Sequence, residues 1–135
     1  MNRFAGRTAL ITGASRGIGL GIAERLVAEG ARVVLTARRP ESLAEAVERL
    51  GGPSCALAVA GKGDDLEHQA DAVAQAVATF GSLDVLVNNA GINPVYGPMI
   101  DLELGAARKI FEVNALAGLS WAQQTAISRR SAGGW

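Results

Sequence analysis

The chain has 135 residues, enough for one domain with a buried core and little beyond it. Hydrophobic residues make up 49% and 13 basic residues offset 13 acidic ones, which excludes the strongly basic footprint of a nucleic-acid or anionic-membrane binder. One cysteine, Cys55, excludes an internal disulfide and fits a reducing compartment; no apolar run approaches the roughly 20 residues of a membrane span, and Met1–Arg7 holds no apolar signal core. The expectation is a cytoplasmic protein with no nucleic-acid or membrane partner.

In chain order, the apolar run Thr8–Ile11 reads as a strand and leads into Thr12-Gly13-Ala14-Ser15-Arg16-Gly17-Ile18-Gly19. A helix is predicted from near Gly17, with Ile18, Ile22, Leu26 and Val27 on its apolar face and Gly30 at its end. A glycine turn feeding a helix N-terminus leaves backbone N–H groups unpaired, and the helix dipole there favours an anion. Small residues let a phosphate come close to the backbone. The spacing is not that of a P-loop, because Leu20 follows Gly19 and no lysine is near. Nor is it G-x-G-x-x-G, because Ile22 stands where the third glycine belongs.

Ala31–Ala37 is a continuous β-prone run, as expected for a buried parallel strand, and Arg38-Arg39-Pro40 follows it. A helix is predicted over Glu41–Leu50, with Leu43, Ala46, Val47 and Leu50 on one face, ended by Gly51-Gly52-Pro53. Ser54–Val59 is a third short strand, with Cys55 expected in the core. Gly61-Lys62-Gly63 then leads to Asp64 or Asp65 as N-cap of a helix reaching Phe80 and Gly81. Its apolar positions are Leu66, Val73, Ala76, Val77 and Phe80, and His68 is expected on its exposed side. A fourth strand, Leu83–Val87, opens Asn88-Asn89-Ala90-Gly91; a loop with Pro94, Gly97 and Pro98 precedes a helix over Leu102–Ile127. Strands alternating with helices predict a parallel α/β sheet, which binds ligands beyond the carboxyl ends of its strands where strand order reverses.

In the last helix Ala107, Ile110, Phe111, Asn114, Ala117, Gly118 and Trp121 share one face. Asn114 is thus a polar residue in an apolar stripe, and spacing alone favours a buried Asn satisfied by neighbouring backbone. At the second strand's end an acidic residue would accept bonds from ribose hydroxyls. The chain has Ala37-Arg38 instead, with Arg16 in the glycine turn, and two guanidinium groups can embrace a 2′-phosphate.

T-G-x-x-x-G-I-G at 12–19, with N-N-A-G at 88–91 directly after L-D-V-L-V, resembles the short-chain dehydrogenase/reductase family over about Arg7 to Thr125. The resemblance implies a Rossmann-like doubly wound parallel sheet, truncated after about four strands in the order 3-2-1-4. Residues 1–127 would form the nicotinamide dinucleotide-binding domain and 128–135 an irregular tail. It implies cofactor contacts at Gly13, Ser15, Arg16, Gly17, Ile18, Gly19, Arg38, Gly63, Asn88, Asn89, Ala90 and Gly91, with NADP(H) favoured over NAD(H). Lys62 and Gly63 depart from the family's usual Asp or Asn followed by a small apolar residue, leaving the backbone to contact the adenine. Asn114 matches the Asn of the family's Asn-Ser-Tyr-Lys tetrad, implied to support a proton-relay water. No metal is implied.

In the family a tyrosine moves the proton, a lysine four residues on lowers its pKa, and a serine positions the substrate oxygen, all beyond a fifth strand. This sequence has one tyrosine, Tyr96, with Ile100 four residues on, and its lysines are Lys62 and Lys109. The tail Ser128–Trp135 abandons the apolar period, as a frameshift or premature stop would. The expectation is therefore a family oxidoreductase of carbonyl and alcohol groups that is inactive alone. The alternatives are a non-catalytic nucleotide-binding or interaction module and a non-functional truncated product. Val85, Leu86 and Val87 would form an exposed sheet edge, making the chain marginal or self-associating as a homo-oligomer.

Overall fold

Residues 2–91 and 97–131 are described by the structure, a computed structural model. Strand β1 (Thr8–Thr12) is buried at every position and runs at the centre of a parallel sheet. It is followed by α1 (Gly17–Ala28), β2 (Arg32–Ala37), α2 (Pro40–Arg49), β3 (Ala56–Ala60), α3 (Leu66–Phe80) and β4 (Val85–Val87). The strand order is β3-β2-β1-β4, with Ile11 beside Leu35 on one side and Val87 on the other. Order therefore reverses around β1, as the Rossmann-like reading expects.

Alternation along β1 and β2 explains why helices cover both faces. Ala9, Ile11, Val33 and Leu35 point into a core with Ala23 and Leu26 of α1 and Leu43 and Ala46 of α2. Leu10 and Val34, on the opposite pleat, pack with Ala72, Val73 and Ala76 of α3 and with Trp121. Helix ends follow local chemistry. Pro40 opens α2, the Asp65 carboxylate accepts from Glu67 N–H at 3.0 Å to cap α3, and Gly81 closes α3 with φ 87°.

The predicted helix over Leu102–Ile127 is interrupted. A 3₁₀ turn, Met99–Asp101, is followed by α4 (Leu104–Phe111), a π-helical segment Glu112–Leu116 and α5 (Ala117–Ser131). None of the residues of α4 is buried, so little packing holds it in phase with α5. The wider π turn re-phases the helix, and α5 then presents Ala117, Trp121 and Thr125 to the core. The helix also runs to Ser131, past the expected boundary at Ile127, so 128–131 are not irregular. Arg129 holds that last turn by donating to Leu83 O at 3.2 Å and Asp84 Oδ1 at 3.0 Å.

Asp84 ties the amino ends of the strands to α5, accepting also from Thr8 N–H at 3.0 Å and Ser82 Oγ at 2.9 Å. Burial pushes its carboxyl up, but Thr8, Ser82 and Arg129 together hold it below the ordinary value. β4 is an edge of the four-stranded sheet, with Val85, Leu86 and Val87 half-buried.

Several burial expectations are corrected. Ile18 and Leu66 are exposed, and Leu20 and Ala23 take the core face of α1 instead. His68 is buried rather than exposed, because α5 folds over the start of α3. Cys55 is half-buried rather than core, since it precedes β3 and sits over Gly51. Pro94, Tyr96 and residues 132–135 lie outside the described residues.

Candidate functional site

The carboxyl ends of β1, β2 and β4 meet where strand order reverses. β1 ends at Thr12, and each glycine of the following turn has its own reason. Gly13 takes φ 62°, and a Cβ there would sit 3.0 Å from Ala90 Cα. Gly19 has no room for a side chain, since a Cβ would lie 2.5 Å from Gly13 O and 2.6 Å from Asn89 Nδ2. Gly17 takes φ 60°, with open space where a side chain would stand.

That open space faces the start of α1. Arg16 is the N-cap residue, with extended backbone and no side-chain bond to the helix, and the first turn carries no acidic residue. The N–H groups of Gly17, Ile18 and Gly19 therefore have no side-chain cap among the described residues, and the positive end of the helix dipole is uncompensated. A glycine cradle of this kind fits an anionic phosphate. Ser15 is half-buried beside it; Arg16 and Arg38, in the turn and just past β2, are both exposed and make no ion pair among the described residues.

The segment after β4 is fastened to this turn through one hydroxyl. Thr12 Oγ1 donates to Val87 O at 3.4 Å and accepts from the N–H groups of Asn89 and Ala90, both at 3.0 Å. The Asn89 amide donates to Gly13 O at 3.1 Å, and the Asn88 amide to Gly118 O at 3.1 Å. Both Nδ2 groups thus brace the protein, where the resemblance implies contact with the cofactor. Thr12 belongs to the glycine motif, but sequence reasoning does not assign it to the site. A hydroxyl directly ahead of the first glycine is the available signal.

Asn114 lies on the π segment and is exposed, not buried in a stripe. A Cβ on Gly91 would be 3.3 Å from Asn114 Oδ1, so glycine at 91 is what lets the two segments approach. Asn114, Asn88, Ala90, Thr12, Gly63 and Trp121 line one small cleft. The structure so brings together the β1 turn, the β4 turn, Gly63 and Asn114, which are distant in sequence.

Two ties from the C-terminal helices reach the turn between β3 and α3. The Trp121 indole donates to Gly63 O at 3.0 Å, and Lys109 Nζ lies 2.5 Å from Asp64 Oδ2. The Lys109 hydrogen bond holds the Asp64 carboxyl below its ordinary value, against the opposing effect of burial. Lys62 is exposed. Among the described residues no three His, Cys, Asp or Glu side chains gather as a metal site, and no helix is long and apolar enough to cross a membrane.

Comparison with known proteins matches residues 7–134 to the family model described as short chain dehydrogenase. Dehydrogenase/reductase SDR family member 4 of Caenorhabditis elegans is 41% identical over 118 residues, 86% of this chain and 45% of that protein. Tropinone reductase-like 3 of Erythroxylum coca is 33% identical over 125 residues, 92% of this chain and 48% of that protein. A short chain dehydrogenase from Burkholderia cenocepacia J2315, solved in complex with NADP, superposes with a TM-score of 0.83 at 39% identity, over 94% of this chain and 52% of that one. A variant short-chain dehydrogenase/reductase from Serratia marcescens gives 0.84 at 33% identity, over 93% and 51%. The chain spans about half the length of these relatives.

Proposed function

Because the chain belongs to the short-chain dehydrogenase/reductase family, we propose that it binds a nicotinamide dinucleotide, NADP(H) in preference to NAD(H), along the carboxyl edge of its sheet. The observation that carries this reading is the start of α1 at Gly17, which among the described residues has no side-chain cap, flanked by the exposed guanidinium groups of Arg16 and Arg38, which make no ion pair among those residues. In this reading the N–H groups of Gly17, Ile18 and Gly19, with Ser15 beside them, hold the pyrophosphate. Gly13 and Gly19 keep the turn closed against Asn89. Arg16 and Arg38 take the 2′-phosphate, the backbone of Gly63 borders the adenine, and Asn88, Asn89, Ala90 and Gly91 shape the path of the ribose and the ring. The NADP bound to the Burkholderia relative supports the same choice.

When bound, such a cofactor supplies or accepts a hydride for carbonyl and alcohol interconversion, the reaction class we assign to the family site of which this chain carries the cofactor-binding part. Asn114, with its amide at the cleft, would hold a water for proton relay. The sequence contains no Tyr-x-x-x-Lys, so this chain by itself binds the cofactor without turning it over.

Titration of the purified chain with NADPH and NADH, followed by reduced-nicotinamide fluorescence, tests the reading. NADPH is expected to bind more tightly. Arg38→Ala is expected to weaken NADPH by about 10- to 100-fold, the value of about 1.5–3 kcal/mol for a charge-assisted bond, while leaving NADH nearly unchanged. Equal affinities for the two cofactors, or loss of both on substitution of Arg38, would overturn the NADP(H) assignment. Steady oxidation of NADPH by a carbonyl compound would overturn binding without turnover.

A further inference from the structure

We propose that Trp121 is a positioning residue for the adenosine half of the dinucleotide, acting through the carbonyl of Gly63. This rests on the cofactor reading above. The turn between β3 and α3, Gly61-Lys62-Gly63, has two glycines in three residues, and glycine loses more backbone freedom on ordering than any other residue. Side-chain packing does not restrain it at Gly63, where a Cβ would meet nothing within 4 Å, and Lys62 is exposed. Backbone bonds from Gly61 N–H to Ala37 O and from Asp65 N–H to Lys62 O, and the Lys109–Asp64 pair, hold its flanks; at Gly63 itself the restraint is on the carbonyl, whose two lone pairs receive Trp121 Nε1 at 3.0 Å and Gln69 Nε2 at 2.8 Å.

With a donor from α5 and another from α3, the peptide plane that follows Gly63 is fixed in orientation. Trp121 is itself held rigidly. It is 1% exposed, and the His68 ring meets it edge-on, with centroids 5.7 Å apart and an interplanar angle of 89°. Trp121 and Gly63 line the same cleft as Asn88, Ala90 and Asn114, so α5 sets the turn's position relative to the rest of the site. A turn ordered beforehand spares the ligand that cost on binding.

Trp121→Phe keeps an aromatic ring against His68 and removes the N–H. Binding of the two cofactor halves, 2′,5′-ADP and reduced nicotinamide mononucleotide, is measured on wild type and variant by ligand-observed NMR. We expect 2′,5′-ADP to bind about five- to tenfold more weakly to the variant, the value of one neutral hydrogen bond, and the mononucleotide to bind as before. Unchanged binding of 2′,5′-ADP, or equal weakening of both halves, overturns the proposal, the latter marking Trp121 as merely structural. If Trp121→Phe does not fold, Gln69→Met decides, since it removes the other donor to Gly63 and is expected to give the same split. Wild-type chain that binds neither half overturns the cofactor reading itself, whereas wild-type binding without the split overturns this proposal alone.

Discussion

At the scale of single residues, His68 shows how a contact distant in sequence overrides a local one. Its place on α3, just past the cap Asp65, suggests a solvent-facing imidazole. The structure buries it to 8% exposure against Trp121, with its Nε2 lacking a partner among the described residues. Burial lowers its pKa below the ordinary 6.5, opposed by the negative charges of Asp65 and Asp71. The unfolded chain therefore binds this proton more readily than the folded one. Stability is expected to be full above about pH 6.5 and to fall as the pH drops below it, toward the lower folded value. Chemical denaturation midpoints at pH 7.5 and 5.5 check this, and His68→Phe should flatten the difference. Nothing in the residues around 68 announces Trp121. Periodicity reports which face of a helix is apolar, not which later helix will cover it.

At the scale of elements, most boundaries were legible because glycine, proline and Asp punctuate them, as Gly30, Pro40, Gly51, Asp65 and Gly81 do. The break within the last helical stretch was not. Ala107, Ile110, Asn114, Ala117 and Trp121 keep helical spacing straight through, and a π turn adds its extra residue without disturbing that local pattern. Helix α1 offers a sharper test, because two of its glycines differ in their surroundings. A Cβ added at Gly19 would lie only 2.5 Å from the backbone oxygen of Gly13, whereas one added at Gly21 has nothing within 4 Å. Gly19→Ala is expected to destabilise by about 1–3 kcal/mol or more through overpacking. Gly21→Ala should stabilise by about 0.5–1 kcal/mol through helix propensity and a less free unfolded chain. Urea melts of the two variants against wild type check both signs.

At the scale of the whole molecule, the parallel sheet and its strand order were readable from alternating strand and helix patterns with two turn motifs. The depth at which each apolar residue lies was not, as exposed Ile18 and half-buried Cys55 show. The N-terminal segment is part of the fold. Phe4 N–H donates to Glu29 O at 3.0 Å, and the buried Glu29 carboxylate takes Arg3 Nη2 at 2.8 Å and Arg25 Nε at 2.9 Å. Arg3, foremost, and Arg25 overcome burial and lower the Glu29 pKa from 4.5 to about 2. A lowered folded pKa stabilises fully above the unfolded value, and that contribution disappears as pH falls from about 4.5 to about 2. Glu29→Gln is expected to start less stable at pH 6 and to lose less across that acid window. Thermal melts at pH 6, 4 and 3 check the difference, and parallel acid curves for the two proteins would contradict it.

The Thr12 hydroxyl and the Gly13 carbonyl find their partners 75 to 78 positions along the chain. Closing so long a loop precedes any reward from the contacts it makes, which is why non-local pairings form late. During synthesis the amino-terminal glycine turn emerges first, yet it gains its brace only after β4 has docked beside β1. The phosphate cradle is in this sense a finishing piece of the folding reaction, and its competence marks the moment at which the sheet has closed.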